Sequence, residues 1–174
     1  MRWNAIYSRI KDIENPVGAE IGVYRGELAA HILELHPGLT WYMIDKWDTK
    51  PCGDTEIFTR YKMLYEDRAK ENETETMRIT QPYNDRCRFF GIDSITASKR
   101  FDDDFFDLVF IDADHTYEAV RADIKAWIPK VKKGGWICGH DYGEYESVTN
   151  AVGSILDGFI ETDVDHTWFA RVSV

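Results

Sequence analysis

The chain has 174 residues, enough for one α/β domain with a real core and too few for two. Its 31 acidic residues outnumber 21 basic ones, giving a net charge of −10 without a compact basic stripe, which argues against a nucleic-acid partner. Apolar and charged fractions are ordinary for a soluble globular protein, and no apolar run approaches the roughly 20 residues of a membrane span. The opening MRWNAIYSRIKDIEN lacks a signal-peptide core, and Cys52, Cys87 and Cys138 are odd in number with no CxxC pair. A cytoplasmic protein with reduced thiols, no zinc knuckle and no membrane partner is the expectation.

Apolar spacing predicts a leading amphipathic helix over Trp3–Ile13, stopped by Asn15-Pro16. Val17–Val23 reads as a buried strand, Glu27–Leu35 as a helix ending near His36-Pro37-Gly38, and Thr40–Asp45 as the second strand. Cys52–Asp85 is the longest polar region, with a helix expected over Phe58–Lys70. A third strand over Arg86–Phe90 and a short helix over Ile95–Phe101 follow, then a fourth strand, Phe105–Ile111. A helix over Tyr117–Val131, a Lys-Gly-Gly turn, a fifth strand over Trp136–Gly139 and a helix over Ser147–Leu156 come next. Phe159–Asp163 and Thr167–Val174 read as a closing strand pair. Regular strand–helix alternation implies a single α/β domain, a doubly wound, Rossmann-like, mostly parallel sheet with helices on both faces. The last two strands are joined too tightly for a parallel crossover, so one runs antiparallel near the C-terminus.

Ionisable residues collect where strands end. Asp112, Asp114 and His115 follow the fourth strand; His140 and Asp141 follow the fifth. A βαβ unit places both ends on one sheet edge, where ligands bind, so the two clusters are expected to meet. The first strand ends in Glu20-Ile21-Gly22-Val23-Tyr24-Arg25-Gly26, a glycine turn that lets a ligand approach the main chain. Asp45 ends the second strand, where a carboxylate can take ribose hydroxyls, so a nucleoside is the expected ligand. A dinucleotide is not: counted from Gly22, the second and third fingerprint glycines are Tyr24 and Glu27, and Glu27 would set a negative charge beside a pyrophosphate.

The E-x-G-x-x-x-G spacing resembles the first motif of class I S-adenosylmethionine-dependent methyltransferases. With GAEIGVYRG, YMIDKW, FFGIDS, FDLVFIDADHTYEAVRADIKAW, PKVKKGGWICGHDY and Val148–Val152 in order, the chain resembles the methyltransferase 24 family. Its departures are Tyr24 in place of the middle glycine and the unmatched segment Asp54–Asp85. The resemblance implies S-adenosylmethionine as cofactor. Its methionine end would lie against Glu20, Gly22, Val23, Tyr24 and Gly26, with Asp112 beside it. Its ribose would lie on Asp45 next to Lys46 and Trp47, and its adenine near Ile92, Asp93 and Ser94. The macrolide and aminocoumarin sugar O-methyltransferases are similar, which implies a small hydroxyl acceptor and divalent-metal assistance.

A hard cation can lower the pKa of a bound alcohol while a carboxylate or imidazole takes its proton. Asp112, His140 and Asp141 are the candidate ligands, with Asp114 or His115 as base. The imidazole among them shifts weight from Mg²⁺ toward Mn²⁺. His140 reads equally as the base with no metal bound, and Asp114 as a cap for the helix after Thr116. Two rival functions remain, a metal-dependent α/β hydrolase and a non-catalytic S-adenosylmethionine-binding protein. His31 and His36 read as surface or capping residues, and Tyr61 and Tyr65 as packing. Residues 49–85 are where a lid or acceptor-binding insertion would sit. The acceptor itself and any homo-oligomer are left open.

Overall fold

The computed structural model describes residues 1–48, 55–156 and 160–173, with the backbone alone described over 55–67. Cys52, the start of the expected lid at 49–54, and Phe159 lie outside the described residues, as do the Tyr61 and Tyr65 side chains.

Val17–Ile21 (β1) and Phe106–Ile111 (β4) are almost wholly buried strands, as expected where helices cover both faces of a sheet. With Thr40–Ile44 (β2), Cys87–Phe90 (β3) and Val131–Gly139 (β5) they form the parallel part of a seven-stranded sheet. Trp168–Arg171 (β7) pairs antiparallel with β5, and Glu161–Thr162 (β6) antiparallel with β7, giving the order β3-β2-β1-β4-β5-β7-β6.

Alternation along each strand divides the core in two. Leu108, Phe110, Trp41 and Met43 face the layer holding Ile6 and Ile10 of Arg2–Ile10 (α1) and Leu28, Ile32 and Leu33 of Glu27–Leu35 (α2). Val109, Ile111, Ala19 and Ile21 face the layer of Ser94–Ser98 (α4), Tyr117–Trp127 (α5) and Glu146–Gly153 (α6). The Trp41 ring packs against Gly18, where a Cβ would come within 2.2 Å of it, so no larger residue fits there without displacing it.

Several boundaries differ from expectation, two of them for identifiable reasons. Tyr117–Trp127 stops four residues before Val131 because Pro129 cannot continue the hydrogen-bond ladder; Ile128–Lys130 form a 3-10 turn instead. The Lys-Gly-Gly segment is not a turn but part of β5: Phe106 pairs with Val131 and Leu108 with Trp136, so the extra residues bulge out. Gly134 takes the left-handed conformation this requires (φ +77°) and donates its amide to Val172, at the sheet's antiparallel side.

The helix expected at Phe58–Lys70 is Thr55–Thr80 (α3), twice as long. Its polar tail stays helical with Glu75 paired to Arg78 at i,i+3 and Thr76 packed on Gly26, while Thr74, Thr76 and Thr80 satisfy their hydroxyls on the carbonyls of Lys70, Asn72 and Thr76. Pro82 follows at the stop, inside a 3-10 turn. His36 ends α2 and is buried rather than on the surface, its Nε2 3.0 Å from the Ile13 carbonyl; His31 stacks on Trp3. Among the described residues, no helix is long and apolar enough to cross a membrane.

Candidate active site

The parallel strands end in step. Ile21 pairs with both Ile44 and Ile111, Ile44 with Phe90, and Ile111 with Gly139. The next residues, Gly22, Asp45, Gly91, Asp112 and His140, therefore leave the sheet along one edge. Between β1 and β4 the strand order reverses, and there the crevice opens. Gly22 (φ +86°) sits against the Asp112 carbonyl so closely that a Cβ would be 2.2 Å from that oxygen.

A cleft of about 700 Å³ lies along this edge. Of the residues expected at a nucleoside cofactor, Glu20, Gly22, Val23, Tyr24, Asp45, Lys46, Trp47, Ile92, Asp93, Ser94 and Asp112 line it. Gly26 does not; it caps α2 in the left-handed conformation and packs on Thr76 of α3. Tyr24, standing where the motif has a glycine, takes that glycine's left-handed backbone (φ 56°). Its amide and that of Val23 donate to Asp45 Oδ2 at 3.0 and 2.8 Å, and its carbonyl accepts from Trp47 Nε1 at 3.0 Å. These bonds offset the αL cost of a residue with a Cβ. Trp47 N donates to Asp45 Oδ1 at 2.8 Å. Of the roughly four acceptor positions of a carboxylate, Asp45 thus keeps about one, on Oδ1, for a ribose hydroxyl. At the other end Asp93 caps α4 by accepting from Thr96 N, and the Thr96 side chain first, with that amide second, holds its carboxyl below the usual range. Ser94 accepts from Trp127 Nε1 and donates to buried Asp123, whose pKa burial pushes to about 6.

The two ionisable clusters do meet. Asp141 is buried, in the left-handed region (φ 65°), and each of its oxygens faces an imidazole: Oδ2 lies 2.7 Å from His115 Nε2, Oδ1 2.8 Å from His140 Nδ1. A carboxylate only accepts, so these nitrogens carry the protons when the rings are neutral. Asp112 Oδ1 stands 3.8 Å from His115 Nε2 and 3.9 Å from His140 Nδ1. Asp112, chiefly, then Asp141 and Asp114, hold the His115 imidazolium above its ordinary pKa. One potential donor atom each from Asp112, His115 and Asp141 fall within 4.8 Å of one another. This oxygen-rich set with one nitrogen fits a divalent transition-metal ion. His140, expected as a ligand, stands behind Asp141 with its Nε2 buried and unbonded, 4.0 Å from Asp165. His115 stacks on Tyr145 at 4.9 Å, and Asp114 accepts from Thr116 N at the start of α5.

Glu20 is buried on the strand before Gly22 and accepts from Trp41 Nε1 at 3.1 Å; burial pushes its pKa from 4.5 to about 8. Below pH 4.5 the group is protonated whether the chain is folded or not. As pH rises toward 8 the unfolded chain releases the proton and the folded one retains it, so stability falls across this window. Glu20→Gln, which still accepts from Trp41, is expected to stabilise the ligand-free protein by on the order of a few kcal/mol at pH 8 and little at pH 4.5. Thermal unfolding against pH measures it; equal shifts at both pH values would refute the ionisation account.

Arg2, Asp123 and, from α3, Ala69 and Asn72 also line the cleft. Spacing in the sequence carries no signal for Arg2 or for the α3 residues, which reach the edge only through tertiary packing. Asp123 was detectable as an acid on the apolar face of α5 beside Val120, Ile124 and Trp127.

The fold and the strand-edge cleft are those of a class I methyltransferase. The sequence matches the methyltransferase 24 family, described as a methyltransferase domain, over residues 19–142. The chain belongs to that family. Among solved structures it is similar to the O-methyltransferase NovP (TM-score 0.70, 22% identity, 99% of this chain and 80% of that one). A putative caffeoyl-CoA O-methyltransferase from Staphylococcus aureus matches at TM-score 0.66 and 12% identity, over 97% of this chain and 80% of that one. Spermidine synthase from Thermotoga maritima matches at 0.56 and 14%, over 95% and 55%. No curated protein sequence matches the chain.

Proposed function

We propose that this methyltransferase transfers a methyl group from S-adenosylmethionine to a hydroxyl of a small molecule, assisted by a divalent cation. The carrying observation is Asp141, which holds His115 and His140 on its two oxygens at the strand edge beside the cleft. A site that only bound the cofactor, with no cation and no acceptor to activate, would not require that arrangement.

The residues present fit the cofactor: Gly22 has no side chain to block the main chain, Asp45 keeps an acceptor position, and Ile92–Ser94 wall the far end. Bound there, S-adenosylmethionine supplies an electrophilic methyl on a sulfonium, so the chain's tasks are alignment and deprotonation. With the His115 proton displaced from its ligating nitrogen, Asp112, His115 and Asp141 would hold the cation, which would supply Lewis acidity that makes a hydroxyl easier to deprotonate. Asp114 lines the cleft one residue from His115, in reach of the same space, and is the base of this reading. His140 donates from Nδ1 to Asp141 and so orients that carboxylate, as a second imidazole behind a ligand does. From α3, Ala69 and Asn72 complete the wall, which supports residues 49–85 as the acceptor-binding part of one domain. An aqueous interior setting and a small-molecule partner accord with the acidic, stripe-free chain.

The hydrolase alternative leaves the glycine turn and Asp45 without a task. A non-catalytic binder leaves the Asp141 pair without one. Calorimetric titration with S-adenosylhomocysteine, with and without Mn²⁺ or Mg²⁺, tests the reading; absence of binding in every condition would sink it. Asp45→Ala removes three amide partners as well as the ribose contact, and is expected to weaken binding about 10- to 100-fold. Unchanged affinity would move the ribose elsewhere.

A further inference from the structure

Arg2 is a basic residue lining the cleft, and nothing in the motif pattern marks it. It opens α1, a helix fixed at both ends. Ala5, Ile6 and Ile10 are buried in the core, Trp3 stacks on His31 at 4.1 Å, and Arg9 pairs with Glu161 and Asp163 at 3.0 and 3.3 Å. The Arg2 guanidinium therefore stands on a rigid element rather than a loose terminus. Its Nη1 lies 3.4 Å from Asp112 Oδ2, and its side chain is 30% exposed into the space it lines. That separation is longer than the roughly 2.7–2.9 Å of a tight charge-assisted hydrogen bond. A guanidinium has five donors, and this one makes a single ion pair among the described residues.

Resting on the cofactor assignment above, we propose that Arg2 binds the α-carboxylate of the cofactor's amino-acid end. If Asp45 takes the ribose, the molecule's two ends lie on opposite sides of β2. Ile92, Ala119 and Ala122 form an apolar wall suited to a base, with Asp93 and Ser94 at its edge. The opposite end holds Arg2 paired with the Asp112 carboxylate, and the buried Glu20 carboxyl lines the same space. That pattern complements a zwitterion, carboxylate to Arg2 and ammonium to the Asp112 side. A fork of paired N–H donors matches a carboxylate in a way an ammonium cannot, so Arg2 selects for the amino-acid tail and lysine is a poor substitute.

The test compares S-adenosylhomocysteine, which has the tail, with 5′-methylthioadenosine, which lacks it, by calorimetry on the full chain. Arg2→Gln is expected to weaken the first about tenfold or more and leave the second unchanged, with Arg2→Lys falling between. Equal weakening of both ligands means that α1 merely shapes the cleft, and overturns the inference. So does an unchanged affinity for both accompanied by a raised KM for the acceptor, which would assign Arg2 to the acceptor instead. If the unaltered protein binds neither compound, the cofactor assignment itself fails, an outcome distinct from the other two.

Discussion

Asp141→Asn is expected to lower kcat by about 10²-fold or more, the cost of misplacing groups that hold and orient the acceptor, while leaving S-adenosylhomocysteine affinity intact. Asparagine is the informative replacement because position 141 sits at φ 65°, which Asn tolerates and β-branched residues do not. It preserves shape but turns one acceptor oxygen into a donor. His115 and His140 both present N–H groups to Asp141, at 2.7 and 2.8 Å, so one ring must change tautomer or lose its partner. The cation site also loses a charge. Asp141 does not line the cleft, so cofactor binding serves as the folding control. His115→Ala, at a half-exposed side chain, is expected to show the same kinetic signature through a milder change. Turnover within a few-fold of the unaltered enzyme in both variants, with metal dependence retained, would remove the cluster from the chemistry.

The second large effect concerns Gly22. A Cβ there would lie 2.2 Å from the Asp112 carbonyl oxygen and 2.6 Å from its carbon, and φ is +86°. The left-handed backbone costs an L-residue about 1–2 kcal/mol, and forcing rigid main chain apart adds about 1–3 kcal/mol. At roughly 2–4 °C per kcal/mol for a chain of this size, Gly22→Ala should lower Tm by about 5–15 °C. Cofactor binding should fall with it, because Asp112 and the turn are what the Cβ displaces. Gly143 is the control: its φ is +83°, but nothing lies within 4 Å of its Cβ position. Gly143→Ala should therefore show the backbone cost alone, about 1–2 kcal/mol. Differential scanning calorimetry of the two variants separates the terms, and equal losses would contradict the close-approach account.

Much of the architecture was legible because local pattern and tertiary placement agree. Strands such as VGAEI and FDLVFI are buried on both faces, so their apolar runs survive as a direct signal; α2 ends where His36-Pro37-Gly38 stops it. The errors fell where neighbours decide. The tail of α3 reads as polar loop, yet Thr76 packs on Gly26, a contact that ties the helix to the β1–α2 turn. Lys-Gly-Gly reads as a turn, but bonds from both sides draw it into β5 as a bulge.

The sequence by itself determined the strand-end chemistry: which acids and imidazoles leave β4 and β5, that Gly22 and Asp45 leave β1 and β2, and, through the motif order, the methyltransferase family. Those facts depend on residue type and on strand order, both of which are local or topological. Only the tertiary structure decided how the groups pair. His115 rather than His140 joins Asp112 and Asp141 in the potential ligand set, Asp45 is largely engaged by loop amides, and Arg2 arrives from the opposite end of the chain. Side-chain rotamers and inter-element distances set these pairings. A few ångströms separate a ligand from the residue behind it, a difference that spacing along a chain does not encode.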